Sequence, residues 1–315
     1  MCLGRAGQAD GEDLPGQPVG EEALSYHDQS TAVIVVNYKK PEDTIQCIRS
    51  LLAAGRPESL IIVVDNGSAD GSADRIAEAL PGLRLLRLDE NLGYAGGYNA
   101  GIEQALALQT PNILILNNDT IVDRQAIDLL REAAWDISVP KIYYHDPPDL
   151  IWAAGARWRK FPPRVTMIGY RRKDRPGYDI PYELEYATGC ALLIKRPVLE
   201  TLGGFDPLFI NYMEDYDFCY RARQQGYSIG YVPQAHVWHK VALTLGESSP
   251  ERWKYLGRNS VLFYRKGERF PSSVLWMYLV WFTLREMVKG QVSRVRFFWQ
   301  GVIEGRQLLK SSGTV

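Results

Sequence analysis

The sequence has few cysteines, almost no net charge and no long apolar run. Its four cysteines, Cys2, Cys47, Cys190 and Cys219, are scattered through 315 residues without a CxxC pair. That pattern argues against a disulfide framework and predicts reduced thiols in a cytosolic protein. A formal net charge of -1 excludes a polyelectrolyte binder, so nucleic acid is not an expected partner. The longest apolar stretch, in "SVLWMYLVWFTLREMV", has a core of about twelve residues. About 20 are needed to cross a bilayer, so no membrane span is expected. Residues 1–30 hold no apolar run of the signal-peptide kind and are rich in Gly, Pro and acids, which predicts a disordered tail. Three nucleotide and catalytic motifs are also missing. No GxGxxG lies between the first strand and helix, which disfavours dinucleotide binding. No GxxxxGK[ST] occurs, which excludes a P-loop, and no GxSxG elbow appears. A phosphate, if bound, needs another source of positive charge.

The chain is 46% hydrophobic, enough for a large domain with an appendage. From Thr31, continuous β-branched runs alternate with helical patterns: "TAVIVVNY", "SLIIVVDNGS", "LRLLRLDEN" and "NILILNND" read as buried strands. Between the first two, "PEDTIQCIRSLLAAG" has Pro at its start, acids in its first turn and Gly at its end. Ile45, Ile48, Leu51 and Leu52 share one face of that helix. This rhythm of βαβ units predicts an α/β fold with a mixed, mostly parallel sheet flanked by helices. Trp135 to Tyr186 breaks the rhythm and reads as irregular with short strands. "ATGCALLIKRPVLETLGG" restores a strand and helix, and "FDPLFINYMEDYDFCYRARQQG" a loop and a helix ending at Gly226. "YSIGYVPQAHVWH" reads as a strand followed by a loop.

Ligands of open α/β sheets bind outside the carboxyl ends of the strands. Here those ends carry Asn37 and Tyr38, Asp65 and Asn66, Asp89 to Asn91, and Asn117 to Asp119. Singly, such polar ends serve turns and helix caps; together they describe a polar crevice. Asp119 is a hard oxygen ligand suited to Mg2+ or Mn2+, ions that take one or two protein carboxylates plus substrate phosphates. Asn117 is a weaker ligand that can hydrogen-bond a ribose hydroxyl. A second acidic cluster, Glu214, Asp215 and Asp217, precedes a helix. Its acids either complement the helix dipole or supply a general base. His236 and His239, three apart, are structural or metal-binding.

Seven stretches, in this order, resemble family 2 GT-A glycosyltransferases: "VIVVNY", "VVDNGSADGS", "NLGYAGGYNAGI", "ILNNDT", "GCALLIKR", "GGFDPLFINYMEDYDFCYRAR" and "VWHK". The branch is similar to rhamnosyltransferases of bacterial surface-polysaccharide assembly, over about Thr31 to Arg265. The resemblance implies that Asp65 recognises the base and that Asn117-Asn118-Asp119 stands where the family has DxD. The first acid of that motif is an amide here, which leaves Asp119 as the metal ligand. It further implies Asp215, beside Glu214, as the base and His239 rather than His236 as a second ligand. Asn37, Asn91, Asn99, Gly189 and Cys190 are expected to complete the nucleotide-sugar site.

The implied activity is inverting, metal-dependent transfer of a sugar, such as L-rhamnose from dTDP-L-rhamnose. The acceptor is a glycan or polyprenyl-diphosphate-linked glycan. UDP-galactofuranose or UDP-GlcNAc are alternative donors; a sugar nucleotidyltransferase and an inactive membrane scaffold are the rival classes. Residues 31–245 are expected to form the GT-A domain and residues 246–315 a helical tail. After Pro250 the chain has twelve Lys and Arg against four Glu, with aromatics between them. Such a composition suits a helix lying on an anionic membrane surface, here the cytoplasmic face of the plasma membrane. Docking on the domain or on a second subunit, in a homo-oligomer, is the alternative.

Overall fold

The computed structural model describes residues 30–241 and 249–311. The expected tail at residues 1–30 thus lies outside the described residues, Ser30 excepted. The first half runs β1 (Thr31–Asn37), α1 (Pro41–Ala53), β2 (Ile61–Asp65), α2 (Ser72–Ala79), β3 (Arg84–Arg87), α3 (Gly93–Ala107) and β4 (Asn112–Asn117). A short β5 (Thr120–Val122) and α4 (Ala126–Glu132) follow. Then come β6 (Ile137–Tyr144), β7 (Leu150–Ala153), β8 (Ala156–Arg159), β9 (Arg164–Met167), β10 (Arg172–Lys173) and β11 (Tyr182–Glu183). The chain continues through β12 (Ala191–Lys195), α5 (Arg196–Leu202), α6 (Glu214–Gln224) and β13 (Ile229–His239). Three helices close it: α7 (Pro250–Arg265), α8 (Ser272–Val288) and α9 (Val292–Ser311).

The central sheet is mixed and mostly parallel, as expected. Strands β3, β2, β1 and β4 lie side by side and parallel; β12 then runs antiparallel between β4 and β6. Strands β1, β2 and β4 are buried nearly throughout, the reason they read as unbroken apolar runs. The glycines of "GYAGGYNAGI" let α3 lie close on the sheet. A Cβ on Gly101 would come within 2.3 Å of Ile34.

Two expectations need correction. The stretch from Trp135 is not irregular at its start: β6 is a central strand, paired with β7, β12 and β13. Pro140 obscured it, because proline has no N–H for the ladder. The sheet absorbs the proline with a register shift in β13 between Val232 and His236. The loop expected before His239 is instead strand throughout, so β13 runs to His239 and pairs Val237 to His239 with both β5 and β6.

The C-terminal helices form their own apolar cluster, but it extends into the preceding domain through Phe209 and Met213. Helices α7 and α9 meet backbone to backbone. A Cβ on Gly257 would sit 1.9 Å from the Phe298 carbonyl oxygen, and one on Gly301 1.8 Å from that of Lys254. Buried Glu286 is clasped by Arg285, Lys289 and, across the turn, Arg294. Among the described residues no helix is long and apolar enough to cross a membrane.

Candidate active site

Strand register assembles the candidate residues. Asn37 pairs with Asp65, and Val36 with Asn117, so β1, β2 and β4 end level. Antiparallel β12 enters beside the end of β4, with Ala191 opposite Leu116; the Asn117 N–H donates to the Cys190 carbonyl at 2.9 Å. Strand β13 sets His239 opposite Thr120, next to Asp119.

Asn37 donates to Asp65 at 2.7 Å and to Ser68 at 3.2 Å, while its Oδ1 accepts from the Thr44 hydroxyl at 2.9 Å. Asp65 also accepts from the Ser68 N–H and hydroxyl. The turn after Asp65 depends on Gly67, at φ +66 and packed against the Glu90 backbone. A shallow cleft beside it is lined by Asp65, Ser68, Ser72, Arg87 and Asp89. Asn118 joins this network by donating to Thr44 at 3.0 Å. Ser68 and Thr44 were not anticipated as site residues. Ser68 was visible in "VVDNGSADGS", but Thr44 sits inside a helix pattern with nothing to single it out.

Asp119 and His239 are both buried, and His239 Nε2 lies 3.0 Å from Asp119 Oδ1. Burial pushes the imidazole down, but the neighbouring Cys190 thiol and Asp119 carboxylate outweigh it and raise His239 from 6.5 to about 10. His239 Nδ1 is buried with no hydrogen-bond partner, and Trp152 packs edge-on against the ring at 4.8 Å. One hard oxygen and one imidazole at this spacing fit a divalent ion. Among the described residues no set of three His, Cys, Asp or Glu could hold an ion, so further ligands would come from a substrate. His236 points elsewhere, to the Pro233 carbonyl at 3.1 Å.

Asp215 is half-buried at the start of α6. Its Oδ2 accepts from the Tyr186 hydroxyl at 2.5 Å and the Gly189 N–H at 3.0 Å, and its Oδ1 from the Tyr216 N–H at 2.9 Å. A carboxylate offers about four acceptor positions. Three are filled, which leaves one for an incoming hydroxyl. Burial raises both Asp215 and Glu214, but the three donors restrain the rise at Asp215. Glu214 is buried, its Oε2 has no hydrogen-bond partner, and it stands well above the ordinary carboxylate range. The pair thus divides, with Asp215 the better base. A raised carboxyl favours folding at low pH, and that contribution is lost as pH rises through its folded value. Glu214→Gln is therefore expected to gain thermal stability over the parent as pH rises from 4.5 to 8. A melting-temperature difference independent of pH would contradict this.

Gly189 joins the two halves. Its N–H holds Asp215, its carbonyl accepts from the Tyr94 hydroxyl at 2.6 Å, and the next residue, Cys190, hydrogen-bonds His239. Cys190 itself is buried, with its side chain against His239. Two expected ligands serve the fold instead. Asn91 accepts from Asn66 and from the Gly93 N–H at the start of α3. Asn99 spends its amide on both backbone groups of Phe205, at 2.7 and 2.8 Å. Asn117 keeps its side chain against Tyr98, at 3.4 Å. Asp217, the third acid, is fully buried between Arg221 and Arg269 and serves structure.

The candidate site thus combines a polar crevice at the strand ends, an acid–imidazole pair and a separate carboxylate pair. Residues 32–203 match the family described as Glycosyl transferase family 2. The chain belongs to that family. A hexosyltransferase of low-salt glycan biosynthesis in Haloferax volcanii is 25% identical over 88% of this chain and 91% of its own. The N-acetylglucosaminyl-diphospho-decaprenol L-rhamnosyltransferase of Mycobacterium tuberculosis is 26% identical over 87% of this chain and 98% of its own. A mannosyltransferase of Pyrobaculum calidifontis, solved with GDP-Man and Mn2+, superposes with a TM-score of 0.51 at 16% identity. It covers 90% of this chain and 79% of its own. GalNAc-T7, solved with UDP, GalNAc and Mn2+, gives 0.53 at 15% identity, covering 75% of this chain and 50% of its own. The family 2 chain described here therefore has the GT-A fold with C-terminal helices added, and it is a glycosyltransferase.

Proposed function

We propose that this family 2 protein is an inverting, metal-dependent hexosyltransferase that moves L-rhamnose from dTDP-L-rhamnose to a polyprenyl-diphosphate-linked glycan. The observation that carries the chemistry is the junction at Gly189-Cys190. It sets the Asp215 carboxylate on the Gly189 N–H and, one residue on, the Cys190 side chain against His239 of the Asp119–His239 pair. The likeness to the mycobacterial rhamnosyltransferase, over nearly all of that protein, supports the donor and acceptor. Asp65, with Asn37 and Ser68 fixing it, faces the base; Asn117 and Asn118 lie by the ribose. Asp119 and His239 hold the cation, which supplies positive charge to the departing diphosphate. Asp215 takes the proton from the acceptor hydroxyl as its oxygen bonds to the anomeric carbon and the bond to the nucleoside diphosphate breaks. Attack from the face opposite the leaving group inverts that carbon. Poly-β-1,6-N-acetyl-D-glucosamine synthase of Staphylococcus aureus, 26% identical over 77% of this chain and 61% of its own, favours UDP-GlcNAc as the second candidate donor. A panel of nucleotide-sugars with Mn2+ or Mg2+, read as nucleoside-diphosphate release, decides between them. Release from no donor, with any acceptor lipid, would refute the reading.

The same proposal places the enzyme on the cytoplasmic face of an anionic membrane. Helix α8 is apolar on two sides. Leu275, Leu279 and Phe282 face inward, while Trp276, Val280, Leu284 and Val288 form an exposed stripe at four-residue spacing. Cations border it: Arg306 stacks on Trp276 at 5.0 Å, and exposed Lys289 follows the stripe. Apolar residues edged by basic ones suit an anionic lipid surface. Val280→Glu with Leu284→Glu is expected to cut binding to phosphatidylglycerol vesicles at least tenfold, without changing the melting temperature. Equal vesicle binding by parent and variant would refute the membrane assignment.

A further inference from the structure

The loop that delivers Glu214 and Asp215 to the site is strained. Ile210, Tyr212 and Met213 adopt φ of 56, 68 and 66°, a left-handed region that non-glycine residues avoid and that is rarer still for a β-branched residue. Such a conformation persists only where its surroundings enforce it. The side chain that makes the most contacts with this loop comes from the C-terminal helices. Fully buried Asn259, on α7, shares the two hydrogens of Nδ2 among the carbonyls of Phe209, Asn211 and Tyr212, at 2.8, 2.7 and 2.7 Å. Its Oδ1 accepts from Arg258 at 2.8 Å, which fixes the amide with its N–H groups toward the loop. Next to it, the Ser260 hydroxyl approaches the Met213 sulfur.

The tail holds the other side of the acids as well. Arg269 pairs with buried Asp217 one turn into α6 at 2.6 Å, and Lys266 pairs with Asp206 ahead of the loop. On its far side the loop is tied to the donor half. The Ile210 carbonyl accepts from the Ala95 N–H at 3.0 Å, and Asn211 Oδ1 from the Tyr94 N–H at 2.9 Å. Tyr94 in turn holds Gly189, whose N–H holds Asp215. The carboxylate pair is thus closed in a ring of contacts fastened to α7 chiefly by Asn259, with the Ser260 hydroxyl beside it.

We infer that Asn259 is a positioning residue for sugar transfer, and that the C-terminal helices form part of the catalytic apparatus rather than a separable anchor. The inference rests on the transferase reading above. It does not touch donor recognition, which lies with β1, β2 and β4. Asn259→Ala should therefore lower kcat by about 10²-fold, the scale of an ångström-sized misplacement of a reacting group. Asn259→Ser, which keeps one donor, should fall between. The assay uses dTDP-L-rhamnose, Mn2+ and N-acetylglucosaminyl-diphospho-decaprenol with the full chain. Calorimetric affinity for dTDP with Mn2+ should stay within threefold of the parent in both variants, and the pH at which kcat reaches half its maximum should move. An unchanged kcat in folded Asn259→Ala overturns the inference. So does nucleotide affinity that falls in step with kcat, or loss of folded protein in both variants, since the brace would then serve the fold at large. An inactive parent would instead overturn the transferase reading.

Discussion

Asp215→Asn is expected to lower kcat for sugar transfer by about 10³-fold while leaving donor affinity within threefold, on the scale of losing a positioned base. The amide keeps the size of the carboxylate and still offers an oxygen to Tyr186 and Gly189, so the site should stay assembled apart from the contact to the Tyr216 N–H, which then faces an NH2. It cannot take a proton at neutral pH. Transfer by the parent should rise with pH along a limb set by Asp215, above the usual carboxylate range because burial raises it. The residual rate of the variant should lack that limb. Glu214→Gln provides the contrast. Glu214 lacks the three donors that restrain the rise at Asp215, so its loss should leave a pH-dependent limb in place. Single-turnover rates with calorimetry on dTDP check this. Substantial transfer by Asp215→Asn, with the limb intact, would move the base elsewhere.

Asp119→Ala is expected to weaken metal-dependent nucleotide binding by at least about 100-fold, since removing one of two protein ligands leaves the imidazole alone. The structure adds a second readout. His239 holds a proton at neutral pH because Cys190 and Asp119 raise it to about 10. Binding of Mn2+ with dTDP should therefore release about one proton, and affinity should fall as pH is lowered. Calorimetry in buffers of different ionisation enthalpy measures that release. Affinity unchanged by the substitution, or binding without proton release, would take the ion away from this pair.

The fold was readable in the sequence wherever a strand is buried on both faces. Strands β1, β2 and β4 announce themselves because no position between their ends is polar. Strand β6 is as deeply buried but carries Pro140 and Lys141. Lys141 is buried against Asp174 and Asp179, a pairing made by residues 33 and 38 positions away. No local pattern could show that this lysine is satisfied. Some candidate site residues could be picked out in the sequence by their position alone. Asp65, Asp119 and Asp215 stand at strand or helix ends, where sequence order already implies a shared edge. Asn91 and Asn99 looked equivalent in the string, yet their amides are spent on backbone groups that only the folded chain brings near. The role of Asn259 could not be read at all, because its three partners lie 47 to 50 residues earlier in a loop with no periodicity.

The start of α3 bears on how this enzyme meets a pyrophosphate. Helices often greet phosphate with the free amides of their first turn. Here the Tyr94 and Ala95 amides are already engaged by Asn211 and Ile210, and the Gly93 amide by Asn91. That berth is closed before any nucleotide arrives. Chelators should accordingly strip the protein of its nucleotide, with no dipole-borne foothold left to retain it.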